Sequence, residues 1–169
     1  MAMKPQTLND ILTVTQGLHR QLADNLAESA SEAPEASKQL LADMAEHEDD
    51  LARTVKIFQD EADLAPVATW FYLYTDRHSI VERDLSKIPF ANMTPDEIAK
   101  ELAELHNQFI DLFTHLHERA EADSPRQLLS QLLELETTTG QTVIFESGRM
   151  AGHYHPVSSH PPAPDPRRS

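Results

Sequence analysis

Cysteine is absent from all 169 residues, which excludes disulfides, thiolate catalysis, iron–sulfur clusters and cysteine zinc sites. Glycine occurs only four times, too rarely for a loop that cradles phosphate, and no nucleophile elbow is present. Positive charge is scarce. Lys and Arg number 14 against 28 Asp and Glu, a formal charge of −14. Such a chain repels phosphate backbones and anionic lipid, so neither nucleic acid nor a membrane surface is an expected partner. No apolar run approaches the ~18 residues of a membrane span. The opening Met1-Ala2-Met3-Lys4-Pro5 leads into no apolar stretch of the secretory kind. The expectation is a cytoplasmic protein with one domain's worth of core.

Helix punctuation is plentiful instead. Thr7 precedes Asp10 at capping-box spacing, and Thr94-Pro95-Asp96-Glu97 sets a hydroxyl before Pro and Glu. Ser124-Pro125-Arg126-Gln127 follows the same pattern, and Pro34 marks a fourth start. The spacing predicts helices over about 7–28, 34–61, 95–121 and 125–150. Stripes at three- and four-residue steps agree: Leu8, Leu12, Thr15, Leu18, Leu22 on the first; Leu40, Met44, His47, Leu51 on the second; Ile98, Leu102, Leu105, Phe109 on the third; Leu129, Leu132, Leu133, Glu136 on the fourth. Four such stripes predict an all-α antiparallel four-helix bundle over residues 1–151. The links within each half are short, giving two hairpins. The crossover, residues 62–94, is long enough to run the length of a bundle and is expected to hold short helical pieces near Ser79–Lys87. A simple up-down-up-down bundle with a decorated loop is the alternative. Residues 152–169, rich in Pro and His, read as a disordered tail. Beyond a loose likeness between the two hairpins, no internal repeat is read.

The placement of ligand-type residues is the main functional sign. His19, His47 with Glu48, His106 and Glu136 all lie within two residues of their helix centres. Helix middles meet at one height in a bundle whichever way each helix runs, and two residues are only about 3 Å of rise. Imidazole plus carboxylate suits iron, manganese or zinc. A carboxylate at the core position of Glu136 is costly unless paired or bound to a cation. The run Thr137-Thr138-Thr139-Gly140 is poor helix, as local sequence often is at functional sites, where a π-bulge can form. A metal-free polar network and a chance alignment are the competing readings. Haem held by His47 and His106 is a further, chemically allowed one. His115 and His117, two apart, face different directions and make a poor chelate.

Four helices, two hairpins, one long crossover and inward ligands at mid-height resemble the ferritin-like, rubrerythrin-like carboxylate bundles. The resemblance spans about residues 7–150 and rests on architecture. It implies one or two bound metals, iron or another transition metal, with oxidative or storage chemistry. The family's Glu-x-x-His motifs are missing: His19 and His106 stand where it has Glu, Glu48 is followed at the third position by Leu51, and Glu136 by Thr139. Hemerythrin is similar only through His78…Glu82 and His106…Asp111, without its His-xxx-His. The aromatic run Trp70, Phe71, Tyr72 and Tyr74 reads as a lid on the bundle or as an interface with a partner or a second subunit, a homodimer being the expected oligomer. The tail reads as a linker or a docking peptide for a protein partner. Two functions are therefore expected: a metal-binding ferritin-like bundle, or a non-catalytic bundle that associates with itself or a partner.

Overall fold

The computed structural model describes residues 7–62 and 79–150, and their regular structure is helical throughout. Four long helices carry the fold: α1 (Leu8–Glu32), α2 (Glu35–Glu61), α3 (Pro95–Arg119) and α4 (Asp123–Met150). Three 3-10 turns, Ser79–Glu82, Leu85–Lys87 and Phe90–Asn92, lie before α3. The aromatic run at 70–74 and the tail lie outside the described residues.

Three of the four helix starts follow the sequence signals. The Asp10 N–H donates to Thr7 Oγ1 at 3.1 Å and the Thr7 N–H donates to Asp10 Oδ2 at 3.2 Å, a reciprocal capping box. The Glu97 N–H donates to Thr94 Oγ1 at 3.2 Å, with Pro95 as first helical residue. Pro34 precedes α2, its carbonyl accepting from Ser37 and Lys38 N–H at 3.0 Å each. It also stops α1. The residue before a proline is barred from the helical region, and Ala33 is extended at ψ 155°. Nothing stops α1 sooner, so it runs four residues past the expected end. α4 departs from expectation: it begins at Asp123, placing Ser124 inside the first turn instead of at its cap. Arg126 explains the shift. Its N–H donates to the Ala122 carbonyl at 3.3 Å, while its guanidinium Nη2 donates to the Ala120 carbonyl at 2.7 Å and finishes α3.

α1 packs along α2, and α3 along α4; α2 lies less closely against α4. The core between them is aliphatic and aromatic, with Leu12, Leu22, Leu41, Met44, Leu105, Phe109 and Leu132 wholly or almost wholly enclosed. The turns before α3 belong to this core through buried Ile80, Leu85 and Phe90. A polar column on α1 straps them down. Asn25 Nδ2 donates to the Leu85 and Ile88 carbonyls at 2.8 and 3.0 Å, and Ser29 Oγ donates to Asn25 Oδ1 at 3.0 Å. Gln21 Oε1 accepts from the Leu85 N–H at 2.9 Å. Arg83 reaches Glu101 of α3 at 2.8 Å, so the segment bridges α1 and α3.

The two helix pairs repeat one burial pattern. When the α3 sequence is laid on α1 with Thr94 on Thr7, every buried α3 residue falls on a buried α1 residue: Ile98 on Ile11, Leu105 on Leu18, His106 on His19, Phe109 on Leu22. When α4 is laid on α2 with Glu136 on Glu48, Leu128 falls on Leu40, Leu129 on Leu41 and Leu132 on Met44, all buried. The identities differ, which is why the likeness looks loose in sequence. The pattern of enclosed positions is the same.

Candidate functional site

A buried assembly of four ionisable side chains interrupts the core. His19 of α1, Glu48 of α2, His106 of α3 and Glu136 of α4 are each at most 1% exposed. Each lies within one residue of the midpoint of its helix. Local sequence puts them there, because each occupies a core position on its helix, with Leu18, Leu22, Met44, Leu102, Leu105 and Leu132 as near neighbours along the chain.

The four side chains close a ring of hydrogen bonds. His19 Nδ1 pairs with Glu48 Oε2 at 2.7 Å, and His19 Nε2 with Glu136 Oε1 at 2.6 Å. His106 Nδ1 pairs with Glu136 Oε2 at 2.8 Å, and His106 Nε2 with Glu48 Oε1 at 2.7 Å. The pattern has two-fold symmetry. Each imidazole gives Nδ1 to the carboxylate of its own helix pair and Nε2 to that of the other. Every ring nitrogen and every carboxylate oxygen is used. The imidazoles lie 5.9 Å apart, and His19 stacks on Phe109 at 4.4 Å, a favourable face for a cationic ring.

Proton arithmetic fixes the charge. Four hydrogen bonds need four protons, which two imidazolium rings and two carboxylates supply, so the ring is neutral overall. Burial works against each charged group, but the partners outweigh it. The carboxylates of Glu136 and Glu48 push His19 up to about 9, and Glu48 and Glu136 push His106 up to about 10. For Glu48, burial is likewise overcome by His106 and His19, which hold it down at about 2. Glu136 is lowered by the same balance, with His19 and His106 opposing burial.

Four of the five expected ligand residues therefore meet, and His47 does not. It lies half-buried in a surface groove between α2 and α4, with Asp50, Leu51, Thr54, Leu135, Thr138, Thr139 and Thr142. The inward stripe of α2 runs through Leu41, Met44, Glu48 and Val55, so Glu48 takes the core position. The Glu136–Glu48 correspondence was the signal available for this. Haem ligation by His47 and His106 would need both rings on one pocket, whereas His106 is enclosed in the core and His47 lines the surface groove. His117 meets Ser130 at 2.9 Å in an exposed contact. The Thr137–Gly140 run is unbroken α-helix without a π-bulge. At Gly140 an added Cβ would lie 3.6 Å from His106 Cβ, an ordinary contact.

As metal ligands, the donor types fit and the resting geometry is closed. Two imidazoles and two carboxylates suit zinc, iron or manganese. Among the described residues, however, no group of three or more such side chains is arranged to hold a metal ion. No helix among the described residues is long and apolar enough to cross a membrane. No family model, curated protein or solved structure matches the chain.

Proposed function

We propose that the ring is the protonated form of a two-His, two-Glu centre, and that the protein is a ferritin-like antiparallel four-helix bundle that binds a divalent transition metal. The supporting observation is the convergence of four ligand-type side chains, one from each long helix, at mid-height in a closed core. Stability alone is a weak reason to keep such a set, because well-packed apolar residues generally do as well as buried ion pairs. Strongly perturbed titrating groups cluster at functional sites. His19, His106, Glu48 and Glu136 would hold the metal. When bound, it would supply Lewis-acid chemistry or, as iron, oxidative chemistry.

Charge balance favours a divalent ion. Two imidazolium rings and two carboxylates sum to zero. Two neutral imidazoles, two carboxylates and a divalent cation also sum to zero. Loading thus exchanges two protons for one cation and leaves no net charge in the core, whereas a trivalent ion leaves one uncompensated.

The test uses untagged full-length chain and the variant Glu48→Gln/Glu136→Gln. Carboxamides offer an N–H and a carbonyl, so this variant retains four ring hydrogen bonds with neutral imidazoles but gives up both anionic ligands. Metal content by mass spectrometry after anaerobic loading should be about one per chain in the parent and lower in the variant. Calorimetry in two buffers of different ionisation enthalpy should show about two protons released per metal. Equal loading of the two proteins, which share the same tail histidines, would refute the centre.

Saturation of every ring donor and acceptor favours a second reading. There the ring is a metal-free lock, and the protein is a non-catalytic bundle that self-associates as a dimer or binds a partner through its tail. A parent protein that takes up no metal, and whose size in solution changes on Trp70→Ala, supports it.

A further inference from the structure

The two lateral faces between the helix pairs differ. The face joining α1 to α3 is roofed by the 79–92 segment, held by Asn25, Gln21 and the Arg83–Glu101 pair. The face joining α2 to α4 carries a groove of about 200 Å³ lined by those two helices alone. The ring carboxylates stand on the same two helices, next to groove residues in sequence: Glu48 follows His47, and Glu136 follows Leu135. Each is also within one helical turn of another lining residue, Leu51 or Thr139. Leu51, 2% exposed, and Leu135 are the groove's apolar lining. Four threonines, His47 and Asp50 supply polar atoms, and Asp50 shares its charge with Arg53 at 2.9 Å.

We infer that this groove is the portal through which a divalent transition-metal ion reaches the ring, with His47 as the first imidazole it meets. The inference rests on the proposed centre. A hydrated cation needs replacement donors before it sheds water. One imidazole, a nearby carboxylate and a rim of hydroxyls offer these weakly enough to release the ion inward. Among the described residues, no intervening segment covers the α2–α4 seam at this groove, whose lining comes from those two helices alone. On the opposite seam, several buried hydrogen bonds would have to break.

Stopped-flow loading of Co²⁺, followed by its absorption, tests the route. Thr138→Trp places a bulky group at the exposed rim. It should slow loading about tenfold while final stoichiometry stays at the parent value. His47→Ala should slow loading several-fold. Arg83→Ala, which loosens the opposite roof, should leave the rate unchanged. A parent rate in both groove variants, or acceleration by Arg83→Ala, overturns the portal while the centre stands. Absence of Co²⁺ uptake by the parent overturns the centre, and with it the cation route. A metal-independent readout is solvent exchange of the His19 and His106 ring N–H protons by NMR. Thr138→Trp should slow it, and unchanged exchange counts against the groove as the way in.

Discussion

At the scale of single residues, the ring makes large demands on four side chains. Removing one partner strands the others in a closed core. Glu48→Ala should therefore cost about 3–5 kcal/mol in chemical denaturation, and Glu48→Gln/Glu136→Gln much less. The titration behaviour gives a sharper test. Both imidazoles bind protons more tightly folded than unfolded, so their stabilisation is full below about pH 6.5 and is lost as pH climbs through about 9 to 10. The carboxylates are depressed, so theirs is full above about pH 4.5 and is lost as pH falls toward about 2. The melting temperature of metal-free protein should thus peak between about pH 4.5 and 6.5. With two extra protons held in the native state, stability should fall by up to about 2–3 kcal/mol per unit on the alkaline side. The Gln/Gln variant should reverse that sign. Its buried neutral imidazoles weaken the fold below about pH 6.5, where unfolded histidines take up protons. A parent whose stability is flat from pH 6 to 10 would refute the ionised ring.

At the scale of elements, the helices are held by caps and by one strap. Gly17 is exposed in mid-α1, and apart from its own stretch of helix nothing lies within 4 Å of an added Cβ. Gly17→Ala should raise stability by about 1 kcal/mol in urea unfolding. Asn25→Ala removes the side-chain donor to the buried Leu85 and Ile88 carbonyls, leaving Ile88 with the Phe90 N–H at 2.9 Å. It should cost about 1–3 kcal/mol, with faster amide exchange confined to residues 79–92. Much of this level was legible in the sequence. Thr7, Pro34 and Thr94 announce three helix starts because caps are local chemistry. The start of α4 was misplaced because Arg126 acts across a turn, a contact absent from any capping pattern. Of the ring, four residues were readable from their heights along the helices. His47 was included because height leaves the angle around the axis undetermined, and neighbouring positions differ by about 100°. The closure of the ring was not readable, since atom-to-atom pairing depends on side-chain rotation.

At the scale of the whole molecule, acidity and symmetry set the behaviour. A formal charge of −14 makes the compact state repel itself. Raising monovalent salt from about 10 to 150 mM shortens the screening length from about 30 to 8 Å. The melting temperature should rise with it, and no rise would mean the surface charges are already locally compensated. The symmetry has another consequence. Because each helix pair contributes one imidazole and one carboxylate, with Nδ1 bonded within the pair and Nε2 across it, each pair is the complement of itself. Two chains that traded second halves would rebuild both rings with every hydrogen bond in place. The ring therefore offers no discrimination between a partner half on the same chain and one on a neighbour. That choice falls to the connection between α2 and α3 and to concentration, so slow refolding at high protein concentration should yield dimers with exchanged halves that keep the alkaline decline of the unexchanged protein.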